Sequence, residues 1–234
     1  MGRKGRSKPR WGLRLLALLL LVAILGGAYA YWRFVHWTPE RSAFPAQGAE
    51  IGEGDGWINL GSLKAVGADF VYLDASRGAD RRDPSFARNY DAARAAGLRY
   101  GAVHSFDPCT PAERQAANFV TVVPRDGDLL PPAVALEDGA EVCEVRISDA
   151  AVESELMTLL NQIESHTGQP AILKLSPAFA AKHPQVAMIE RNLWLTGEYV
   201  PPDYAGRPFT LWTANTMLQT EASEDALRWV VARP

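Results

Sequence analysis

One acidic residue follows directly after a short apolar run in the middle of the chain. Residues 130–139 read Leu-Pro-Pro-Ala-Val-Ala-Leu-Glu-Asp-Gly, so the run ends at Glu137 and the chain then enters a glycine-bearing loop. A buried strand that delivers one carboxylic acid to the edge of a loop is a common way for a hydrolase to hold a proton donor. A two-carboxylate mechanism would need a second acid beside it, but the residue two positions earlier is Ala135.

Other polar and aromatic side chains follow the ends of predicted strands, namely Asp74, His104, Glu198 with Tyr199, and Trp212. In a parallel barrel the carboxyl ends of the strands gather on one face, where the active site forms. Carboxylates for proton transfer and aromatic rings for stacking would suit a sugar-binding floor. Each of these residues could equally be a helix cap or a solvated loop residue, and both interpretations stay open.

The elements that must position these residues alternate along the chain. Short apolar runs followed by helix-like segments predict βα units and an α/β fold. Strands are expected at residues 70–73, 99–104, 133–136, 171–175, 193–195 and 209–212. Helices are expected at residues 85–96 with Asp83 as N-cap and Gly97 as terminator, from a capping box at Thr110 to about residue 122, from Ser148 to about residue 167, and from Ser176 to before Pro184.

The N-terminus is a membrane-directed segment. Residues 1–14 carry six basic residues and no acid, and an apolar run from Leu15 to Tyr31 follows. The basic flank predicts a cytoplasmic N-terminus and an exported remainder. An uncleaved anchor would give a single-pass protein of the cytoplasmic (inner) membrane with a periplasmic or extracellular domain. Cleavage after Ala28-Tyr29-Ala30 would instead give a secreted protein. The expected segments are 1–14 (flank), 15–34 (anchor or signal), 35–45 (linker) and 46–234 (barrel domain).

Charge and cysteine content restrict the partners further. Acidic residues outnumber basic ones by 27 to 24, and more strongly once the basic flank is set aside, so no nucleic-acid surface is expected. The four histidines are scattered without ligand spacing, so we expect no metal site, and no motif indicates a cofactor. Cys109 and Cys143 are expected to pair in an oxidising compartment, with two free buried thiols as the alternative.

At these residues the chain resembles family-25 glycoside hydrolases, the lysozymes that cut peptidoglycan between N-acetylmuramic acid and N-acetylglucosamine. The similarity runs from about Phe44 to Trp229 and includes Gly67-Ala68-Asp69-Phe70, Asp83-Pro84-Ser85-Phe86, Leu130-Pro131-Pro132 and Leu136-Glu137. No single piece is specific, but their order and spacing are. The resemblance implies an irregular, TIM-like (β/α) barrel with eight strands and fewer helices than a full (β/α)₈ barrel.

The resemblance also implies roles for individual residues. Glu137 matches the family's general acid, while Ala135 stands where the family has an aspartate. Glu50 matches the first-strand aspartate with a longer side chain, and Asp225 could match a late aspartate. A lysine and a glutamate of the family's second strand are Asp74 and Arg77 here.

Three functional interpretations follow from these matches and departures. The first is a working muramidase with Glu137 as acid and Glu50, Asp74 or Asp225 as second carboxylate, weakened by the missing aspartate. The second is a non-catalytic peptidoglycan-binding module that grips sugar with Tyr72, Trp194, Tyr199 and Trp212; core packing is the favoured role for Trp194 alone. The third is an exported partner-binding protein, or a hydrolase of another glycan. Asp74 and His104 are expected to line the same substrate-binding cleft.

Overall fold

The computed structural model describes residues 11–137, 139, 143–145 and 147–234. Most of the basic flank and Asp138 lie outside the described residues. The chain divides into two compact units, one ending at Trp37 and the other running from Thr38 to Pro234. In the first unit, α1 (Trp11–Val35) has 25 residues and is apolar enough to cross a membrane. At 1.5 Å per residue it is roughly 37 Å long, enough for a hydrocarbon core of about 30 Å. A signal sequence passes the same test, so anchor and signal remain alternatives.

The second unit is built on one closed sheet. Its strands are β1 (Ala46–Ile51), β2 (Phe70–Arg77), β3 (Arg81–Arg82), β4 (Arg99–Ser105), β5 (Ala133–Leu136), β6 (Ile172–Leu175), β7 (Leu193–Thr196), β8 (Leu211–Leu218) and β9 (Leu227–Ala232). Eight of them form a barrel, because β1 pairs with both β2 and β9, while β3 extends β2 as a hairpin. The pairings from β1 to β8 are parallel, and β9 runs antiparallel to β8 and β1. The predicted α/β class with a closed eight-stranded barrel is confirmed.

Helices cover only part of the barrel. They are α2 (Leu60–Ala65), α3 (Phe86–Ala96), α4 (Ala112–Val122), α5 (Asp149–Thr167) and α6 (Pro177–Lys182), with 3₁₀ turns at Glu53–Asp55 and Val186–Met188. The Ser148 and Ser176 side chains accept the amides of Ala151 and Phe179, which confirms both predicted N-caps. Gly97 ends α3 in the left-handed conformation at φ 66°, as predicted.

Two predicted helix starts are wrong. The carboxylate of Asp83 accepts the amide of Ser85, but Ser85 is the N-cap residue and α3 begins one residue later, at Phe86. The Thr110 hydroxyl donates to Asp107 rather than capping α4, and Pro111 occupies the N-cap position. In both places a loop carboxylate holds the turn that the sequence pattern assigned to the helix.

The barrel interior follows from the two-residue repeat of its strands, which sends every second side chain inward. Nine such residues form one apolar layer: Phe70, Tyr72, Val103, Ala133, Ala135, Ile172, Trp194, Leu211 and Val230. The rings of Tyr72 and Trp194 pack against each other, with their centroids 5.0 Å apart and their planes inclined at 56°. Gly101 makes this possible, because a Cβ atom there would lie 2.4 Å from the Tyr72 ring. We call these nine residues the apolar layer.

Candidate active site

The next inward positions beyond the apolar layer carry ions. Two residues further along β2, β5 and β6 stand Asp74, Glu137 and Lys174, and Glu50 and Arg228 lie at corresponding positions of β1 and the antiparallel β9. With Asp55 from the turn after β1, these six residues are joined by contacts of 4 Å or less. We call them the charged layer: Glu50, Asp55, Asp74, Glu137, Lys174 and Arg228.

Lys174 connects the two glutamates of the charged layer. Its Nζ lies 2.5 Å from Oε1 of Glu50 and 3.8 Å from Oε1 of Glu137, and 5.1 Å from the centre of the Trp194 ring. Its side chain is only 6% exposed. In the β5–β6 pairing its direct neighbour is Ala135. The methyl group of Ala135 leaves room for the four-carbon lysine chain, so a cation reaches the site where the family pattern has an aspartate.

Glu50 is the most enclosed member of the layer. Its side chain is 1% exposed, and Oε2 lies 3.8 Å from Nε of Arg228. Burial alone would raise its pKa, but the Lys174 ammonium and then the Arg228 guanidinium outweigh it and hold the pKa of Glu50 below its usual range. Glu50 is therefore a buried carboxylate anion whose charge is matched by two cations.

Arg228 holds the other side of the layer together. Its Nη2 donates to the carboxylates of Asp55 at 2.9 Å and Asp74 at 3.0 Å. Asp55 in turn accepts the amide of Gly52 at 2.7 Å, which fixes the turn after β1. A Cβ atom on Gly52 would lie 2.3 Å from Oδ2 of Asp74, so the absence of a side chain there makes room for that carboxylate.

Asp74 is the acid of the charged layer whose pKa is raised. Its side chain is one-third exposed. Burial, followed by the negative charge of Glu50, raises the pKa of Asp74 to about 7. Near neutral pH this carboxyl group can therefore either donate or accept a proton, which is the property required of a general acid or base.

Glu137 is the acid most open to solvent, with its side chain 49% exposed at the end of β5. Because Glu137 and Glu50 both contact the Lys174 ammonium, their nearest oxygens are no further apart than the sum of 2.5 and 3.8 Å. An exposed acid and a buried anion thus share one ammonium group at this end of the barrel.

Three predicted substrate-binding residues lie elsewhere than expected. Tyr72 and Trp212 are 2% and 1% exposed, and His104 is fully buried. Tyr72 belongs to the apolar layer and donates to the carbonyl of Pro131. All three side chains are thus buried in the structure, and their contact with a sugar stays a prediction.

His104 and Trp212 have a simple reason for their burial. Each is one residue out of step with the apolar layer, which places it on the outer wall of the barrel. The His104 ring hydrogen bonds to Ser76 at 2.9 Å and Gln115 at 3.2 Å, and burial lowers its pKa to about 4. The Trp212 indole packs on the ring of Phe44, 5.4 Å away. Both stabilise the wall that carries the site.

Tyr199 and Asp225 remain near strand ends. Tyr199 is half-buried, and its backbone adopts φ 63°, a left-handed conformation that is rare for a non-glycine residue. Burial, and then the neighbouring Glu198 charge, raises the pKa of its phenol. Asp225 is exposed, with its carboxylate beside Gly56 in the turn that also carries Asp55.

Sequence reasoning missed four residues at this end of the barrel. Lys174, Arg228 and Asp55 belong to the charged layer, and Trp57 is 66% exposed two residues after Asp55. A lysine inside the apolar run Ala-Ile-Leu-Lys-Leu and an arginine inside Leu-Arg-Trp-Val-Val were the available signals. A charged residue at an inward strand position requires a partner ion, so both pointed to acids on other strands.

The two cysteines are joined in the structure. Cys109 and Cys143 form a disulfide with their Cα atoms 5.3 Å apart. Cys109 follows β4 and Cys143 lies six residues after Glu137, so the bond ties the chain beyond Glu137 to the loop of the neighbouring strand. Within the described part of the chain, no group of three or more acids, histidines or cysteines could hold a metal ion.

The chain is similar to glycosyl hydrolases of family 25 in sequence and in fold. The model of the family "Glycosyl hydrolases family 25" matches residues 50–225. A family 25 glycosyl hydrolase from Bacillus anthracis superposes with a TM-score of 0.75 at 22% identity, covering 84% of this chain and 92% of that one. The bacterial lysozyme from Streptomyces coelicolor gives 0.72 at 20% identity, with 81% and 92% covered. At these identities the structural similarity concerns the fold.

The chain aligns with only part of each sequence relative. The protein YegX of Escherichia coli K12, described as uncharacterised, is 26% identical over 159 residues, which are 67% of this chain but 57% of YegX. Lysozyme M1 of Streptomyces globisporus is 33% identical over 85 residues, 34% of this chain and 29% of the relative. This chain therefore matches little more than half of YegX.

Proposed function

The chain belongs to glycoside hydrolase family 25, and on that premise we propose that it is an exported, membrane-anchored, lysozyme-like hydrolase of the peptidoglycan glycan strand. The family's fold supports a muramidase-type activity, which cleaves the N-acetylmuramyl linkage. The anchor is proposed from the length and apolar character of α1 and from the basic residues before it. The barrel, treated as an irregular TIM-like one covering residues 46–234, would then face the periplasm or the extracellular space.

The placement of Glu137 is the observation that carries the proposal. It is half-exposed at the carboxyl end of a barrel strand and shares the Lys174 ammonium with Glu50. Glu137 would protonate the glycosidic oxygen as the bond to the leaving sugar breaks. Glu50, fixed as an anion, would supply the negative charge that favours an oxocarbenium-like transition state.

The same geometry supports a slow enzyme. Glu50 is 1% exposed, so its carboxylate is too enclosed to attack a sugar carbon, and Lys174 offsets its charge. Ala135 supplies no acid in its place. Asp74, one-third exposed and with its pKa raised to about 7, is the most accessible carboxyl of the charged layer besides Glu137 and could serve water or the substrate's acetamido group.

Neutralisation of Glu50 also favours a second candidate function. A barrel that kept its cleft and lost its second carboxylate would bind peptidoglycan without cutting it. In that case the exposed Trp57 and the half-buried Tyr199 would provide the stacking surfaces. Binding without release of reducing ends would identify this function.

The test uses the full chain in detergent micelles with insoluble peptidoglycan. Wild type is expected to release reducing ends, and Glu137→Gln to lower the rate by about 10²–10⁴-fold, the usual contribution of a general acid. Glu190→Gln is the matched control, because Glu190 is exposed and precedes β7 at the other end of the barrel. Equal rates for wild type and Glu137→Gln would disprove the role of Glu137.

Introducing an aspartate at position 135 tests whether Ala135 lowers the activity. Ala135→Asp would place a carboxylate in register with Lys174. We expect faster release of reducing ends than in wild type, and no gain when Glu137→Gln is present as well. An unchanged or lower rate in Ala135→Asp would show that Ala135 does not limit turnover.

A further inference from the structure

A cavity of about 180 Å³ lies beside the charged layer. It is lined by the β2–β3 hairpin, which contributes Arg77, Arg81 and Arg82, and on its inner side by Asp74. We propose that this cavity is an anion-binding subsite, in which Arg81 and Arg82 hold a carboxylate group carried by the glycan substrate. The identity of the substrate rests on the proposed function above; the preference for an anion rests on the cavity itself.

The hairpin places like charges opposite each other. Arg77 and Arg81 are direct partners in the two-residue β2–β3 ladder, and Arg82 pairs with Ser76 in the same ladder. Like charges directly opposite on paired strands destabilise the pairing. A bound anion beside Arg81 and Arg82 would bring opposite charge to this hairpin.

A buried side chain orients the hairpin. Asn118 of α4 is 2% exposed and accepts a hydrogen bond from Nε of Arg82 at 2.8 Å. Its amide nitrogen donates to the carbonyls of Gly78 and Arg81. The Nε atom of Arg82 is thereby fixed, and Arg82 lines the cavity. A guanidinium group held in this way can bind a planar carboxylate with two hydrogen bonds through its remaining nitrogens.

Two of the three acids in the cavity wall have their carboxylates bonded to partners. Asp74 is bonded to Arg228, and the two oxygens of Asp83 accept the amides of Glu53 and Ser85. Glu53 is the remaining lining acid. Across the described ranges, neither Arg81 nor Arg82 has an ion pair with a carboxylate. Among the described residues, the positive charge of these two guanidinium groups is therefore not matched by an ion pair.

The size of the cavity defines what part of a ligand it takes. Pockets that enclose a whole drug-sized molecule have volumes of about 300–1,000 Å³. A space of about 180 Å³ suits a carboxylate with a few attached atoms, while the sugar chain would run past Asp74 over the charged layer. In peptidoglycan such groups are the carboxylates of the stem peptide and, on muramyl residues from which the peptide has been removed, the lactyl carboxylate that otherwise forms the amide bond to it.

Binding of three soluble probes of equal length by the full chain in micelles tests the proposal. They are glycan strands with stem peptides, strands stripped of peptide but retaining lactyl carboxylates, and neutral chitin oligosaccharides. We expect carboxylate-bearing strands to bind at least tenfold more tightly than chitin. Stripped strands keep this preference if the lactyl group is the ligand and lose it if the stem peptide is. Equal affinity for all three probes would overturn the proposal.

Matched variants assign the preference to the hairpin. Arg81→Ala/Arg82→Ala should abolish it without changing chitin binding, Arg81→Lys/Arg82→Lys should retain part of it, and Arg114→Ala, at an exposed arginine of α4, should retain all of it. An unchanged preference in the double alanine variant overturns the subsite. Circular dichroism and thermal melting of each variant confirm that it is folded.

Titration with acetate, a small anion, tests the anion-binding subsite independently of the proposed glycan substrate. Titration of wild type with acetate should shift the arginine Nε–H NMR signal of Arg82 in a saturable manner, and Arg81→Ala should weaken that response. A saturable shift in a chain that binds and cleaves no glycan supports the subsite and disproves the proposed substrate. A signal that acetate leaves unchanged counts against the subsite even if glycan is cleaved.

Discussion

The barrel interior contains two layers that differ in how their residues depend on one another. The apolar layer is held by ring packing and aliphatic contacts, with Tyr72 and Trp194 at its centre. The charged layer, one side-chain step further along the same strands, is held by ion pairs around Lys174 and Arg228. The same two-residue repeat of the strands builds both.

The difference lies in what each layer tolerates. Apolar contacts are non-directional, so a changed side chain costs the area and volume it loses. A buried ion instead requires its specific partner, and removal of either one leaves an uncompensated charge. Ala135 and Lys174 show the result, since the position without an acid sits beside a cation that pairs with two other acids. Replacement of one member of the charged layer is therefore expected to affect its partners.

Removal of Lys174 should break the charged layer most severely. Lys174→Met leaves the Glu50 carboxylate, which is 1% exposed, without the ammonium group 2.5 Å away. We expect the free energy of unfolding, measured in urea, to fall by about 3–5 kcal/mol. Lys174→Met/Glu50→Gln should recover part of that loss, because the buried charge is gone. A single variant as stable as wild type would show that the ion pair does not support the fold.

A buried polar group that carries no charge gives the intermediate case. The pKa of His104 is lowered to about 4 by burial, whereas an unfolded histidine titrates near 6.5. The unfolded chain therefore binds this proton first, and stability should fall as the pH drops from about 6.5 to about 4, by about 3 kcal/mol in total. His104→Gln removes this contribution, so its stability should depend less on pH over the same interval. Parallel pH profiles of urea unfolding for the two proteins would contradict the assignment.

The smallest effect is expected in the apolar layer. Tyr72→Phe keeps the ring in place and loses one hydrogen bond to the Pro131 carbonyl at 3.1 Å. The expected loss in the free energy of unfolding is about 1 kcal/mol. A loss comparable to that of Lys174→Met would mean that the two layers are equally sensitive and would remove the distinction between them.

Much of the framework could be predicted because local chemistry determines it. Ser148 and Ser176 cap their helices, Gly97 ends α3 with a left-handed residue, and the strand ending in Leu136 presents Glu137 at its exit. By contrast, β1 and β9 were absent from the expected strands. They contain Glu50 and Arg228 at inward positions, and these interrupt the apolar runs by which a buried strand is recognised.

The site was harder to predict because its contacts are non-local. Lys174 and Glu50 are 124 residues apart in the chain, and neither local sequence predicts contact with the other. Trp212 and His104 were placed at the cleft because they lie near strand ends, whereas the strand register sends both to the outer wall. His104 lies near the end of β4 as expected, whereas Trp212 is the second residue of β8, which continues to Leu218.

The direct pairing of Ala135 with Lys174 has a consequence for other sequences of the family. A scan for acids alone would record Ala135 as a simple loss, since it considers one strand at a time. The strand register instead defines a two-position signature: a small residue two before the glutamate, and a lysine at the facing position of the next strand. Family members can then be sorted by whether these two positions hold alanine and lysine, as here, or other residues.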